Sequence, residues 1–225
     1  MVSHDTDDFA VMNDHPHSKN PKIRDTLLAA AQRYDLVLVP GRFNSGASHW
    51  QSIWELELPI WKRVVQSHWD DPDTHRLNGS LRRLLAQCSR PALLVGHSLG
   101  ALASVCLAFE VPDKVAGVML VAPAEPAKFH AEEDVPVSAL GVPSILVASH
   151  TDPFMSFSRA EHWAGVWGSE LVDLGEAGHI NVDSGFGPWD FGLDVLRRLI
   201  EKMDEGTSVA MKISASSQGV IRADD

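Results

Sequence analysis

The sequence predicts an α/β fold, a parallel sheet of about six strands with helices packed on both faces. Two observations carry that expectation. Six apolar, β-rich runs alternate with helical patterns along the chain. The runs are apolar almost throughout, without the in–out alternation of a half-solvated sheet, which marks strands covered on both sides. At 225 residues and 44% hydrophobic content, the chain fits one domain with a sizeable core.

Taken in order, residues 1–20 are polar and lack periodicity, so they read as a disordered N-terminal segment. They hold His4, His15 and His17 among aspartates, but nothing there fixes a ligand geometry. The α/β domain is expected over 21–204, opening with a helical "IRDTLLAAAQRY" (23–34) and a first strand, "DLVLVP" (35–40). "SHWQSIWELEL" (48–58) reads as the next helix and "VVQSHW" (64–69) as the second strand. "HRLNGSLRRLLAQC" (75–88) leads to the third strand, "PALLVGH" (91–97), which runs into a helical "SLGALASVCLAFE" (98–110). "VAGVMLVAP" (115–123) and "PSILVAS" (143–149) supply the fourth and fifth strands. The helix "SRAEHWAGVW" (158–167) opens with a capping-box pattern in which Ser158 caps and Glu161 returns the bond. "ELVDLG" (170–175) is the sixth strand, and Pro188 starts the last helix, "GPWDFGLDVLRRLIEKM" (187–203). Residues 205–225 read as a flexible tail.

Charge and composition exclude several classes of function. With 19 basic against 30 acidic residues the formal net charge is −11, which repels the phosphates of nucleic acid and of anionic membranes. No apolar run approaches the roughly 20 residues of a membrane-spanning helix. The opening "MVSHDTDDFA" has neither the basic start nor the apolar segment of a secretory signal, which implies a cytoplasmic protein. Cys88 and Cys106 lack a C-x-x-C spacing and are expected as buried free thiols.

In a parallel sheet all strands end at one edge, and sites form in the loops beyond it. After the third strand comes Gly96-His97-Ser98-Leu99-Gly100, a G-x-S-x-G between strand and helix. That pattern forces Ser98 into a strained turn that presents its hydroxyl, while Gly96 and Gly100 clear space for neighbouring backbone. After the fifth strand comes His150-Thr151-Asp152-Pro153-Phe154, where an acid held before proline can accept an imidazole N–H. After the sixth comes "EAGHINVDSGFGPW", with His179 in the loop. The order Ser98, Asp152, His179 is that of α/β-hydrolases. Asp173 lies within its strand and is the weaker acid, and His150 reads as a loop neighbour of the site. His49, His68, His75 and His130 are expected at the surface or the pocket rim. The acid- and histidine-rich "SHWDDPDTH" (67–75) is expected as a solvated loop rather than a metal site. The loop after the first strand, Pro40 to Gly46, should lend the N–H of Arg42 or Phe43 to an oxyanion hole, with that of Leu99 as the other donor.

The stretches "VPGRFNSGASHWQSIWE", "VGHSLGA", "SHTDPFMSFSRAEHWA" and "GEAGHINVDSGFGPW" resemble the small serine hydrolases of the retinoblastoma-binding protein 9-like, YdeN-type family over roughly 35–200. The resemblance implies a compact α/β-hydrolase fold and carries a catalytic triad onto Ser98, Asp152 and His179. Arg42 departs from the small or apolar residue commoner at its place. The expected reaction is acyl transfer to Ser98 and then to water, needing no metal or organic cofactor, on a small-molecule ester.

Only about 20 residues separate the fourth strand from the fifth, too few and too polar for an apolar lid, so the site should be open and suit short or medium acyl groups. Trp50, Trp54 and Trp61 follow the first strand at near-helical spacing, as core residues do. Trp50, Trp69 and Trp189 are candidate pocket walls because of their places near strand ends. Two rival readings reuse the fold: a cofactor-free haloperoxidase or C–C hydrolase, and a protein-interaction module with vestigial activity. The sequence points to no particular protein partner.

Overall fold

A computed structural model describes residues 20–219, with side chains through residue 206. Six parallel strands form one sheet: β1 Asp35–Val39, β2 Trp61–Arg63, β3 Ala92–His97, β4 Val115–Val121, β5 Ser144–Ala148 and β6 Glu170–Asp173. Their spatial order is β2-β1-β3-β4-β5-β6. The helices are α1 Pro21–Ala30, α2 Trp50–Glu57, α3 Thr74–Ala86, α4 Leu99–Glu110, α5 Phe157–Trp167 and α6 Asp190–Gly219.

Every residue of β1, β3 and β5 is buried, as the continuous apolar runs require of strands enclosed on both faces. Val37 is in register with Leu94, Leu94 with Val118 and Met119 with Ile145. One core layer joins the sheet to α3, α4 and α5 through Leu81, Leu102 and Trp167. The opposite layer joins it to α1, α2 and α6 through Leu27, Trp54 and Leu196. Burial of nearly all of α4 follows from its composition, since Leu99 to Ala108 carry only small and apolar side chains. Cys88 and Cys106 are free thiols, and burial pushes Cys106 up to about 12.

Several boundaries depart from the sequence reading. The second strand is Trp61–Arg63, paired with Leu36–Leu38, and not 64–69. After the Val64 N–H bonds the Leu38 carbonyl, the chain leaves the sheet, and Val65 stands 76% exposed. At a sheet edge the polar stretch Gln66 to His68 has no inner face to fill. Helix α5 begins at Phe157, so Ser158 lies inside it and Ser156 holds the N-cap position, without a side-chain cap bond. Pro188 lies outside α6, which starts at Asp190. That helix continues to Gly219, through residues assigned above to a tail. No proline follows Pro188, and Ala210, Met211 and Lys212 are strong helix formers; Gly206 inside the helix costs about 1 kcal/mol. The expected disordered segment, 1–20, lies outside the described residues except for Asn20, whose side chain caps α1 by accepting the Lys22 N–H. Among the described residues no helix is long and apolar enough to cross a membrane.

Candidate active site

Ser98 occupies the turn from β3 into α4 with φ 57° and ψ −121°, a left-handed conformation that non-glycine residues adopt only when the surroundings enforce it. Its N–H donates to the Val121 carbonyl at 3.1 Å, and its own carbonyl accepts from Ala101 and Ala124 at 3.0 and 3.3 Å. Glycines permit this packing. A Cβ on Gly100 would collide with the Val39 carbonyl, and one on Gly41 would stand 2.8 Å from the Ser98 Cβ. These glycines bring the β1 loop, β3 and α4 close enough to meet around the serine.

Asp152 follows β5 and His179 follows β6. The Nδ1 of His179 lies 3.0 and 2.9 Å from the two Asp152 oxygens, and the side chains are only 8% and 3% exposed. Asp152 also accepts the Phe154 N–H at 2.8 Å, which fixes the carboxylate against its own loop. With Nδ1–H donated to the carboxylate, the His179 Nε2 is left as the basic nitrogen. Ser98 and His179 line the same pocket, and the Phe154 ring packs 4.5 Å from the imidazole.

The loop that carries His179 is held by side chains to which the sequence reading gave no such role. Ser149 Oγ accepts the Ala177 N–H at 2.9 Å, Thr151 Oγ1 that of Gly178 at 3.0 Å, and Ser184 Oγ that of His179 at 3.0 Å. On the carbonyl side, the Trp50 indole donates to Ile180 and a His97 ring nitrogen to His179, both at 2.9 Å. Two of these residues sit in "ASHTD", where hydroxyls alternate just past a strand end; such a spacing signals a polar turn, though not its partner.

The β1 loop narrows the oxyanion donors. Phe43 donates its N–H to the Trp69 carbonyl at 2.7 Å, so it is spent on the segment after β2. This removes Phe43 and leaves Arg42 as the loop's candidate. The Arg42 side chain bonds the Asp70 carbonyl at 2.9 Å and lies 4.6 Å over the Phe43 ring. Leu99 opens α4, so its N–H has no acceptor within the helix.

The pocket encloses about 390 Å³, within the range of small-ligand sites. Phe43, Phe129, Phe154 and Val182 form its apolar wall, and Asn44, Asn181 and Asp183 add polar groups. None of the three candidate tryptophans belongs to that wall. Trp50 and Trp189 are buried in the core, where Trp50 packs 4.6 Å from Trp54 and Trp189 stacks on Trp54 at 6.0 Å. Trp69 does not line the pocket, and its carbonyl accepts the Phe43 N–H. Large aromatic residues near strand ends fill the space under the loops as readily as the space above them. His49 does reach the pocket wall, although it is buried. Its Nδ1 caps α2 by accepting the Gln51 N–H at 3.2 Å, and burial, with smaller effects from Arg63 and His179, lowers its pKa to about 4. His150 pairs instead with Asp173 at 2.9 Å and stacks on Phe157. The segment between β4 and β5 holds a single 3₁₀ turn, Pro126–Phe129, and no large lid.

A serine at the strand–helix turn, with an acid and a histidine from later loops in that chain order, makes this sheet an α/β-hydrolase. More narrowly, the chain belongs to the serine hydrolase family, whose profile matches residues 36–198. A solved protein from Pectobacterium atrosepticum, described as a YdeN-like hydrolase, is 47% identical; the match covers 81% of this chain and 98% of that one, with a TM-score of 0.79. The ydeN gene product of Bacillus subtilis shares the fold at 19% identity, with 75% and 99% coverage and a TM-score of 0.64. Mouse alpha/beta hydrolase domain-containing protein 10 does so at 14%, with 77% and 90% coverage and a TM-score of 0.57. Comparison with the curated proteins finds no match.

Proposed function

We propose that this serine hydrolase cleaves small carboxylic esters with short or medium acyl groups, through a triad of Ser98, His179 and Asp152. The observation that carries the reading is the buried Asp152–His179 pair beside a left-handed Ser98 in one pocket. His179 Nε2 takes the Ser98 proton as Oγ attacks the acyl carbonyl, then passes it to the leaving alcohol. Asp152 keeps the proton on Nδ1 and stabilises the imidazolium that forms. The Leu99 and Arg42 N–H groups receive the oxyanion, each worth about 3 kcal/mol by analogy with measured donor removals. Water then releases the acid by the same route. The small pocket and its phenylalanine wall suit an acyl chain of modest length, and no cofactor takes part in the scheme.

Labelling with a fluorophosphonate probe tests the nucleophile. The wild-type chain should label and Ser98→Ala should not; an unlabelled wild type, or equal labelling of both, rejects the reading. A panel of esters should then show turnover peaking at short or medium acyl chains. A steep rise from butyrate to palmitate would overturn that preference.

A further inference from the structure

We propose that His97 is the residue that sets His179 at its working distance from Ser98, by holding the backbone carbonyl of His179. This rests on the hydrolase reading above and adds to it a positioning residue outside the triad. Ser98 is fixed to the sheet by the Val121 carbonyl and the Ala124 N–H, so the nucleophile does not adjust to its base. The loop that carries the base must therefore be brought to it. Its N–H groups are anchored by Ser149, Thr151 and Ser184, which belong to the β5 end of the sheet and to the loop itself. Those ties set the loop against Asp152 but not against Ser98. The Trp50 indole in α2 holds the next carbonyl, that of Ile180, at 2.9 Å. The direct link to the nucleophile's own segment comes from the residue next to Ser98, because His97 Nε2 lies 2.9 Å from the His179 carbonyl oxygen. One chain segment thus carries the nucleophile on one residue and holds the base's backbone with the one before it.

The ring of His97 cannot readily swing away. It is 6% exposed, lies 4.8 Å from the His179 ring and 4.9 Å from that of His49, and meets Trp50 edge-on at 6.0 Å. A carbonyl acceptor puts the proton on Nε2 and leaves Nδ1 with its lone pair. Burial, reinforced by the neighbouring His179 and His49, holds the His97 pKa well below the ordinary histidine range. The ring beside His179 is accordingly neutral, and it sets no like charge against the imidazolium that forms at His179. A lysine or arginine could make the same bond, but it would place that charge there.

Three substitutions test the tie, each read by kcat and KM on one ester and by melting temperature. A glutamine amide nitrogen reaches about as far as histidine Nε2, whereas asparagine stops near the place of Nδ1 and leucine offers no donor. In His97→Asn and His97→Leu, kcat should fall by about 10²-fold, the scale of an ångström-sized misplacement, with KM changed less than about threefold. His97→Gln should recover kcat to within about tenfold of wild type. If His97→Leu does not fold, the glutamine and asparagine variants decide between themselves. Equal kcat in those two at equal melting temperature, a loss confined to KM, or wild-type kcat in His97→Leu overturns the proposal. Fluorophosphonate labelling of wild type, run alongside, separates the two ideas. A wild type that fails to label removes the hydrolase reading itself, while a labelling wild type matched by its His97 variants removes only the role of His97.

Discussion

Replacing Ser149 by alanine should loosen the acid and the base together. Its hydroxyl is 1% exposed and accepts two backbone donors, the Thr151 N–H at 3.2 Å and the Ala177 N–H at 2.9 Å. The first belongs to the loop of Asp152 and the second to the loop of His179, so one oxygen ties the two loops. Alanine leaves both donors without that acceptor. Ala177 is buried but its N–H keeps a second acceptor, the Gly175 carbonyl at 3.1 Å, so the loss there costs about 1 kcal/mol; Thr151 is exposed, so water takes up its N–H at a cost under about 1 kcal/mol. The sum, about 1–2 kcal/mol, corresponds to a melting temperature lowered by roughly 2–8 °C in a domain of this size. Turnover should fall more steeply than stability suggests, by about 10- to 100-fold in kcat, because the Asp152–His179 geometry rests on the tie. Thermal melting and steady-state kinetics on a single ester measure both. A variant that melts within about 1 °C of wild type, with kcat/KM within twofold, would show that the oxygen is not a tie.

Asp152→Asn keeps the shape of the acid but no longer favours the right His179 tautomer, so kcat should drop on the order of 10⁴-fold, as the same change does in serine proteases. A drop under tenfold in ester kinetics would assign the role to another acid. His49 shares with the buried His97, whose pKa is also lowered, the acid-side limit of the fold. Its pKa is lowered from 6.5 to about 4, so the unfolded chain binds its proton first, and stability present above pH 6.5 is lost as pH falls toward 4. The loss is on the order of 3 kcal/mol. Asparagine at position 49 still caps α2 but does not titrate, so urea denaturation of His49→Asn should show a flatter profile over that window. An unchanged slope would place the acid sensitivity elsewhere. Asp35 does not confuse the measurement: burial opposes its charge, but bonds from Arg90 and Lys62 outweigh that and hold it at about 2, below the window.

What the sequence made legible was whatever depends on local pattern. Continuous apolar runs placed five of the six strands, because the middle of a strand enclosed on both faces favours apolar side chains. The buried polar Asp35, His97 and Ser144 stand at strand ends. Ser98, Asp152 and His179 were visible because each follows such a strand at the same edge of the sheet. The structure brings Asp152 to His179 and sets Ser98 in the same pocket. What escaped depends on pairing across the fold. Ser149 and Ser184 are ordinary turn residues until Ala177 and His179 are placed beside them. The choice between Arg42 and Phe43 could not be made without the Trp69 carbonyl. Trp50 and Trp189 were misjudged for a related reason: position near a strand end does not say on which side of the loop a large side chain lies.

The misplaced second strand bears directly on the site. Had residues 64–69 continued beside β1, Trp69 and Asp70 would have been carried along the sheet edge. Instead the strand stops at Arg63 and the chain turns over the β1 loop, where the Trp69 carbonyl takes the Phe43 N–H and the Asp70 carbonyl takes Arg42 Nε. Arg63, the last strand residue, reaches the Asn44 side chain and the Ser45 carbonyl from the other side. These bonds hold Phe43 and Asn44 at φ 67° and 64°, a pair of left-handed residues that a free loop would relax. A donor aimed at a developing oxyanion is effective only if it need not reorganise when the charge appears. The early end of β2 therefore has a chemical consequence. Under the proposed mechanism, it frees the segment that braces Arg42, the loop's candidate oxyanion donor, through the Asp70 carbonyl.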